Sequence, residues 1–294
     1  MSAAVTVTDP TAAATGPAGG AVARPARGGL HQRAWRTFWT LRDPISGRLR
    51  LTLMIVSGIV PLAAWVILSG TGAIDPVFLP SPAAVARAGG ELFSSGVLMH
   101  DLAATMTRVG IGFGLVVLIS VPLGLGIGTF ASIRALFEPM IGLLRYMPAP
   151  AFIPLLIIWL GLGETSKIAL LVIGTVFFNT LMSADAANLV PRELIDASYT
   201  LGASRWTVVR KVVLPHSLPG LIDAMRVNIA ATFNLVVVAE LIAAQSGLGY
   251  RITRAQRFLQ TDQIFFVLIV IGVIGVTIDL GFRAARNLVA PWAR

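Results

Sequence analysis

Three charged side chains, Arg108, Arg145 and Glu240, stand within or at the ends of stretches that are otherwise uncharged and apolar. A charge in such surroundings needs a partner, water or a way out, because an unpaired ion in a low-dielectric medium is costly. Arg108 and Arg145 suit either of two roles. They can carry an anion past an apolar barrier, or lay their stems along it and reach polar surroundings at its edge. Glu240 can line the same path or extend into water from the end of its segment. Two further pairs, Asp223 with Arg226 and Asp279 with Arg283, lie three and four residues apart. That spacing lets opposite charges neutralise each other on one helix face.

Other chemistries lack residues. The chain has no cysteine, which excludes disulfides and thiolate metal sites. His31, His100 and His216 are too far apart in sequence to suggest a metal site. HExxH and GxSxG are both absent, so no catalytic residue is assigned and no cofactor or metal is expected. "GLGETSK" at 161–167 lacks the spacing of a phosphate-binding loop, and its glycines read as a helix end.

The elements that position these charges follow from composition. Of 294 residues, 55% are hydrophobic and 13% charged, against about 25% charged in soluble domains. The chain reads as an all-α integral membrane protein, since lipid requires every backbone polar group to be satisfied internally and the apolar runs do not alternate like barrel strands. Six spans are expected: Leu51 to Leu68, Val109 to Phe130, Tyr146 to Gly163, Ile168 to Ala184, about Leu218 to Ala244, and about Ile264 to Phe282. Each is near the roughly 20 residues that cross about 30 Å of hydrocarbon. Gly110, Gly114, Gly124 and Gly128 give two GxxxG spacings, which in lipid mean close helix packing. Ser81 followed by Pro82 opens a short surface helix. The net charge is +9. No basic helix stands clear of the apolar runs, so nucleic acid is not an expected partner. Basic residues between spans favour one side by fifteen to five, which places both termini in the cytoplasm.

One segment interrupts the apolar pattern: "ELIDASYTLGASRWTVVRKVVLPHSLPG", 193–220. Pro191 can start a helix, and Glu193 then sits in the first turn, where the dipole favours an anion. Leu194, Ala197, Ser198 and Leu201 form a stripe of mostly small residues. Gly202 falls at the stop, where glycine adopts a left-handed conformation most cheaply. Ser204 can cap a second helix with Trp206, Val209 and Val213 on one face and Arg210 and Lys211 on another. Pro215 is expected to end that helix, and Pro219 to open the fifth span. The segment fits an amphipathic connector at the membrane surface or a docking element for a cytoplasmic partner.

The same stretch resembles the EAA loop of ABC importer permeases: Glu-Ala-Ala, three residues, Gly, nine residues, Ile, one residue, Leu-Pro. Here Asp196-Ala197-Ser198, Gly202, Val212 and Leu214-Pro215 keep every spacing, with Asp for Glu, Ser for Ala and Val for Ile. "FLPSPAAV", "PAPAFIPLLIIWLGLGETSKI" and "AELIAAQSGLGYRI" are similar to the nitrate, sulfonate and taurine branch of these permeases, over about residues 75 to 290. The resemblance implies a type I ABC importer permease fold in the inner membrane, working as a homodimer with two ATP-binding subunits and an extracytoplasmic substrate-binding protein. It implies a non-catalytic subunit that carries a small solute, an organic or inorganic anion such as a sulfonate, taurine or nitrate. Coupling to the ATPase would fall on Glu193, Asp196, Ala197, Ser198, Leu201, Gly202, Arg205, Leu214 and Pro215. The expected domain order is a disordered Ala/Gly/Pro-rich, then basic, cytoplasmic N-terminus at 1–49, which the resemblance does not cover, a first span and periplasmic segment at 50–100, the permease domain of five helices at 101–288 with its coupling loop at 190–216, and a cytoplasmic tail at 289–294. The alternative is an ion-gradient-driven secondary transporter, which would show inverted repeats.

Overall fold

The computed structural model describes residues 45–72 and 74–293. The expectations for the N-terminal tail up to residue 44, and for Arg294, lie outside those residues. Two units divide after Pro61. The first holds the start of α1, Gly47–Gly70, a helix with no buried residue.

The second unit holds the remaining helices, and no strand occurs among the described residues. α2, Pro82–Ser94, starts as its sequence predicts: Ser81 Oγ accepts from the Ala84 N–H at 3.3 Å and Pro82 takes the first helical position. α3 is Val97–Thr129, longer than the expected span, because polar Asp101, Thr105 and Arg108 continue the helix beyond the apolar run. Between residues 131 and 160 the chain does not form the single span expected at Tyr146 to Gly163. α4, Ala131–Leu144, and the segment Ala149–Leu160, which contains α5, Ile153–Leu160, are bent by 83° at the break between them. Pro148 and Pro150 account for the break: neither has a backbone donor, and Pro148 is itself extended at φ −67°, ψ 115°.

α6 is Glu164–Asn188 and α7 is Arg192–Thr200. α8, Arg205–Ile242, is 38 residues long. It runs through Pro215 and Pro219, so the expected helix stop at Pro215 is corrected. A π-helical turn at Val209–Val213 lies just before the prolines and re-registers the backbone where a donor is missing. α9 is Leu248–Arg257 and α10 is Thr261–Val289. Five of these helices are long and apolar enough to cross a membrane, or six if the bent pair counts as one.

The core lies where α3, α6 and α8 meet. Val109, Phe113 and Val116 of α3 pack with Leu171 of α6 and with Ile229, Phe233 and Val236 of α8. Of the two GxxxG spacings, only one sits at a close approach. A Cβ on Gly124 would stand 2.5 Å from the Thr180 carbonyl, and one on Gly128 would stand 2.5 Å from the Ala184 carbonyl. Gly110 and Gly114 face open space. Polar residues also join the three helices. Asn179 Nδ2 donates to Ser120 Oγ, and the Thr232 and Thr175 hydroxyls are 3.3 Å apart. Such bonds inside lipid contribute about 0.6 kcal/mol on average.

Candidate functional site

The core positions two sites at opposite ends. The first is the turn between α7 and α8. Glu193 lies in the first turn of α7. The helix closes with the Ala203 N–H donating to the Ser198 carbonyl at 3.0 Å and the Gly202 N–H to the Tyr199 carbonyl at 2.9 Å. This is the paired closure that requires a left-handed residue, and Gly202 supplies it with φ +81°. Ser204 Oγ then accepts from the Thr207 N–H at 3.3 Å and starts α8. Ile195 and Ala203 pack the turn against Ala187, Val190, Val208 and Val213. The apolar face of this part of α8 is therefore Val208 and Val213. Trp206, expected on that face, is exposed and lies edge-on to Phe130.

The outer face of α7 is left uncovered. Leu194, Ala197 and Tyr199 are exposed, and Leu201 is 88% exposed. Glu193, Asp196 and Arg205 are exposed and form no ion pair among the described residues, while the Ser198 hydroxyl bonds back to the Leu194 carbonyl at 2.7 Å. Leu214 is exposed and Pro215 half-buried on the following turn.

At the other end of the core Arg108 is buried, and it meets Glu240. Its Nη1 donates to Glu240 Oε1 at 2.7 Å and to the Ser246 carbonyl at 2.7 Å. Its Nη2 donates to Glu164 Oε1 at 2.8 Å and to Ser246 Oγ at 3.1 Å. Glu240 also accepts from the Thr105 hydroxyl at 2.8 Å and the Gly249 N–H at 2.9 Å. Asp101 accepts from the Gly247 N–H at 3.0 Å and from Arg251 at 2.8 Å. The loop before α9 is thus pinned to α3 through side chains and its own backbone. Gly247 has φ +117°, and a Cβ there would fall 2.5 Å from the Glu240 carboxylate oxygens, so position 247 needs glycine for two reasons.

Glu240 therefore neither reaches water nor snorkels, since its side chain has no exposed surface. Arg108 forms part of the wall of a cleft of about 400 Å³, which also touches Thr107, Glu164, Ile168 and Ser246. Arg145 is not brought to this cluster. It is exposed at the end of α4, where it donates to the Tyr146 hydroxyl at 3.0 Å and lies 4.9 Å from that ring's centre. Sequence reasoning missed Glu164, Thr105, Asp101 and Lys167 as members of the cluster. Lys167 Nζ sits 2.8 Å from Glu164.

The pairs 223/226 and 279/283 neutralise across helices as well as along them. Arg226 donates to Asp279, Arg283 to the same carboxylate at 2.7 Å, and Arg286 lies 3.1 Å from Asp223. The within-helix pair of Arg226 and Asp223 is looser, at 3.9 Å. These residues join α8 to α10.

Residues 117–294 match the family described as the binding-protein-dependent transport system inner membrane component. The chain is 36% identical over 269 residues to the taurine transport system permease protein TauC of Escherichia coli (strain K12), covering 90% of this chain and 95% of that protein. It is also 36% identical over 247 residues to the riboflavin transport system permease protein RibX of Chloroflexus aurantiacus, covering 83% of this chain and 89% of that protein. An inward-facing structure of the MetNI methionine ABC transporter superposes with a TM-score of 0.60 at 21% identity, over 67% of this chain and 97% of that one.

Proposed function

The chain belongs to the family of binding-protein-dependent transport system inner membrane components, and from that premise we propose that it is the membrane-spanning subunit of an ATP-driven importer for a small oxyanion, such as a sulfonate, taurine or nitrate. It works as a homodimer with both termini in the cytoplasm. Two ATP-binding subunits dock on its coupling loops, and an extracytoplasmic binding protein delivers the solute.

The observation that carries the coupling role is the bare face of α7, held by the closed turn at Gly202. A rigid turn with an exposed apolar edge can take up the tilt of a partner. That tilt has a direct route. α8 begins three residues after Gly202 and continues for 38 residues, about 57 Å at 1.5 Å per residue. Glu240 lies near its far end and grips Arg108. One helix therefore spans the distance from the docking surface to the buried charges, and its π turn and two prolines are where it can flex. Arg108 forms the wall of the solute's path and Glu240 fixes it from behind. Arg145, apart from this cleft, has no partner role in it.

The oxyanion class is supported by the arginine in the cleft wall and by the taurine relative. The riboflavin relative, at the same identity, shows that identity alone does not select the solute. The test is uptake into proteoliposomes holding this chain with its ATPase and binding protein. Accumulation of labelled taurine or methanesulfonate should require ATP and persist when ion gradients are collapsed. Accumulation driven by an ion gradient without ATP would contradict the proposal.

A further inference from the structure

Four charges meet at the cleft end of the core: Arg108 and Lys167 against Glu164 and Glu240. Their exposures differ sharply. The side chains of Arg108 and Lys167 are 4% and 6% exposed and that of Glu240 is 0%, whereas that of Glu164 is 56% exposed. Their bonding differs in the same sense. Glu240 is held by Thr105 and Arg108 of α3 and by the Gly249 N–H of α9, so three groups on two other helices fix it. Among the described residues, the Glu164 side chain is held only by the two cations. It is the first residue of α6 and stands at the edge of the cleft, with the rest of its side chain exposed.

We propose that Glu164 is a displaceable stand-in for the transported anion, and that an oxyanion enters the cleft by taking the place of the Glu164 carboxylate on Arg108. This deepens the reading of the chain as an anion permease, and rests on it. The exchange has a physical logic. A buried cation left without a counter-charge is strongly destabilising, so an empty path needs a carboxylate of its own. When Glu164 swings into water, the Nε and Nη2 edge of Arg108, the Lys167 ammonium and the Ser246 hydroxyl face the space it leaves. A guanidinium edge binds two oxygens of a carboxylate or sulfonate at once. Glu240 stays in place, so Arg108 keeps its aim throughout. Once Glu164 has left, Arg108 and Lys167 face the single remaining carboxylate of Glu240, so the open site carries a net positive charge that favours an anion over a cation.

Glu164→Gln should then remove the competitor, hold anions more tightly and release them more slowly. A cysteine placed at Thr107 in this cysteine-free chain reads the cleft directly. In membranes permeable to reagent from both faces, its reaction rates with a sulfonate-bearing and a trimethylammonium-bearing thiosulfonate are compared. Glu164→Gln should raise the anionic-to-cationic rate ratio by roughly tenfold, the scale of one unit charge at close range in a half-aqueous cleft. Methanesulfonate should slow the labelling, more in Glu164→Gln than with Glu164 present, and methylammonium should not. Glu164→Asp, which keeps the charge but shortens its reach, should fall between. An unchanged ratio in Glu164→Gln, or protection by methylammonium equal to that by methanesulfonate, would overturn the proposal. The labelling needs neither ATP nor a partner subunit. Its failure would leave ATP-driven import standing, and failure of ATP-driven uptake would leave this site standing.

Discussion

At one end of the α3, α6 and α8 core, Asp101, Arg108, Glu164, Lys167, Glu240 and Arg251 are tied together by side-chain bonds and by backbone donors of residues 247–249. At the other end, α7 carries Glu193 and Asp196 and the start of α8 carries Arg205, with no ion partner among the described residues, and the apolar edge of α7 faces outward. The first region spends its charges on holding helices together. The second leaves both charge and apolar surface unused. A membrane protein that moves a solute with energy from outside needs both. On the proposed reading, the braced end keeps Arg108 aimed at the cleft and the bare end is where another molecule acts.

If the first region is a brace, cutting it should be costly. Glu240→Ala leaves the buried Arg108 with one half-exposed partner, and removing one member of a buried pair costs about 3 to 5 kcal/mol. The purified chain should lose most of its folded yield and melt far below the parent in detergent. A melting point within a degree of the parent would mean that the cluster does not brace the fold. A smaller effect is expected at the end of α3 nearest the α7 turn. Gly128→Val forces a side chain into the Ala184 carbonyl, and overpacking of this kind costs about 1 to 3 kcal/mol. Gly110→Ala meets open space and should cost under about 0.5 kcal/mol. Equal effects would show that the two glycine pairs play the same part. A comparably small effect belongs to the partly exposed ion ladder beside α10. Asp279→Asn removes the carboxylate that Arg226 and Arg283 share, yet partly exposed pairs contribute only about 0 to 1 kcal/mol. A larger loss would place part of the brace there too.

How much was legible differs between the two regions for a physical reason. The turn at Gly202 depends on neighbours within six residues, so glycine, serine and the spacing of small residues announced it. The brace depends on residues far apart in the chain: Arg108 and Glu240 are separated by 132 positions and Arg108 and Glu164 by 56. Their presence in apolar stretches flagged them singly, but nothing local paired them. Glu164 was hidden inside a glycine-rich helix start. Its only sequence signal was an acid in a first helical turn with a lysine three residues on. The inner pairs misled in a milder way, because spacing of three and four suggests local neutralisation without excluding a partner helix. The bend between α4 and α5 was legible in Pro148 and Pro150 but outweighed by an uninterrupted apolar run. The passage of α8 through Pro215 was not legible, since a π turn upstream leaves no residue signature of its own.

The central claim is that α7, aimed by Gly202, is the surface through which a separate ATPase drives this chain. Gly202→Val tests it most directly. A β-branched residue at φ +81° costs about 1 to 2 kcal/mol locally and forces the turn to open, while the spans keep their packing. The account predicts normal membrane insertion together with loss of ATPase co-purification and of solute-stimulated ATP hydrolysis in reconstituted vesicles. Normal insertion with both retained at the parent level would contradict it.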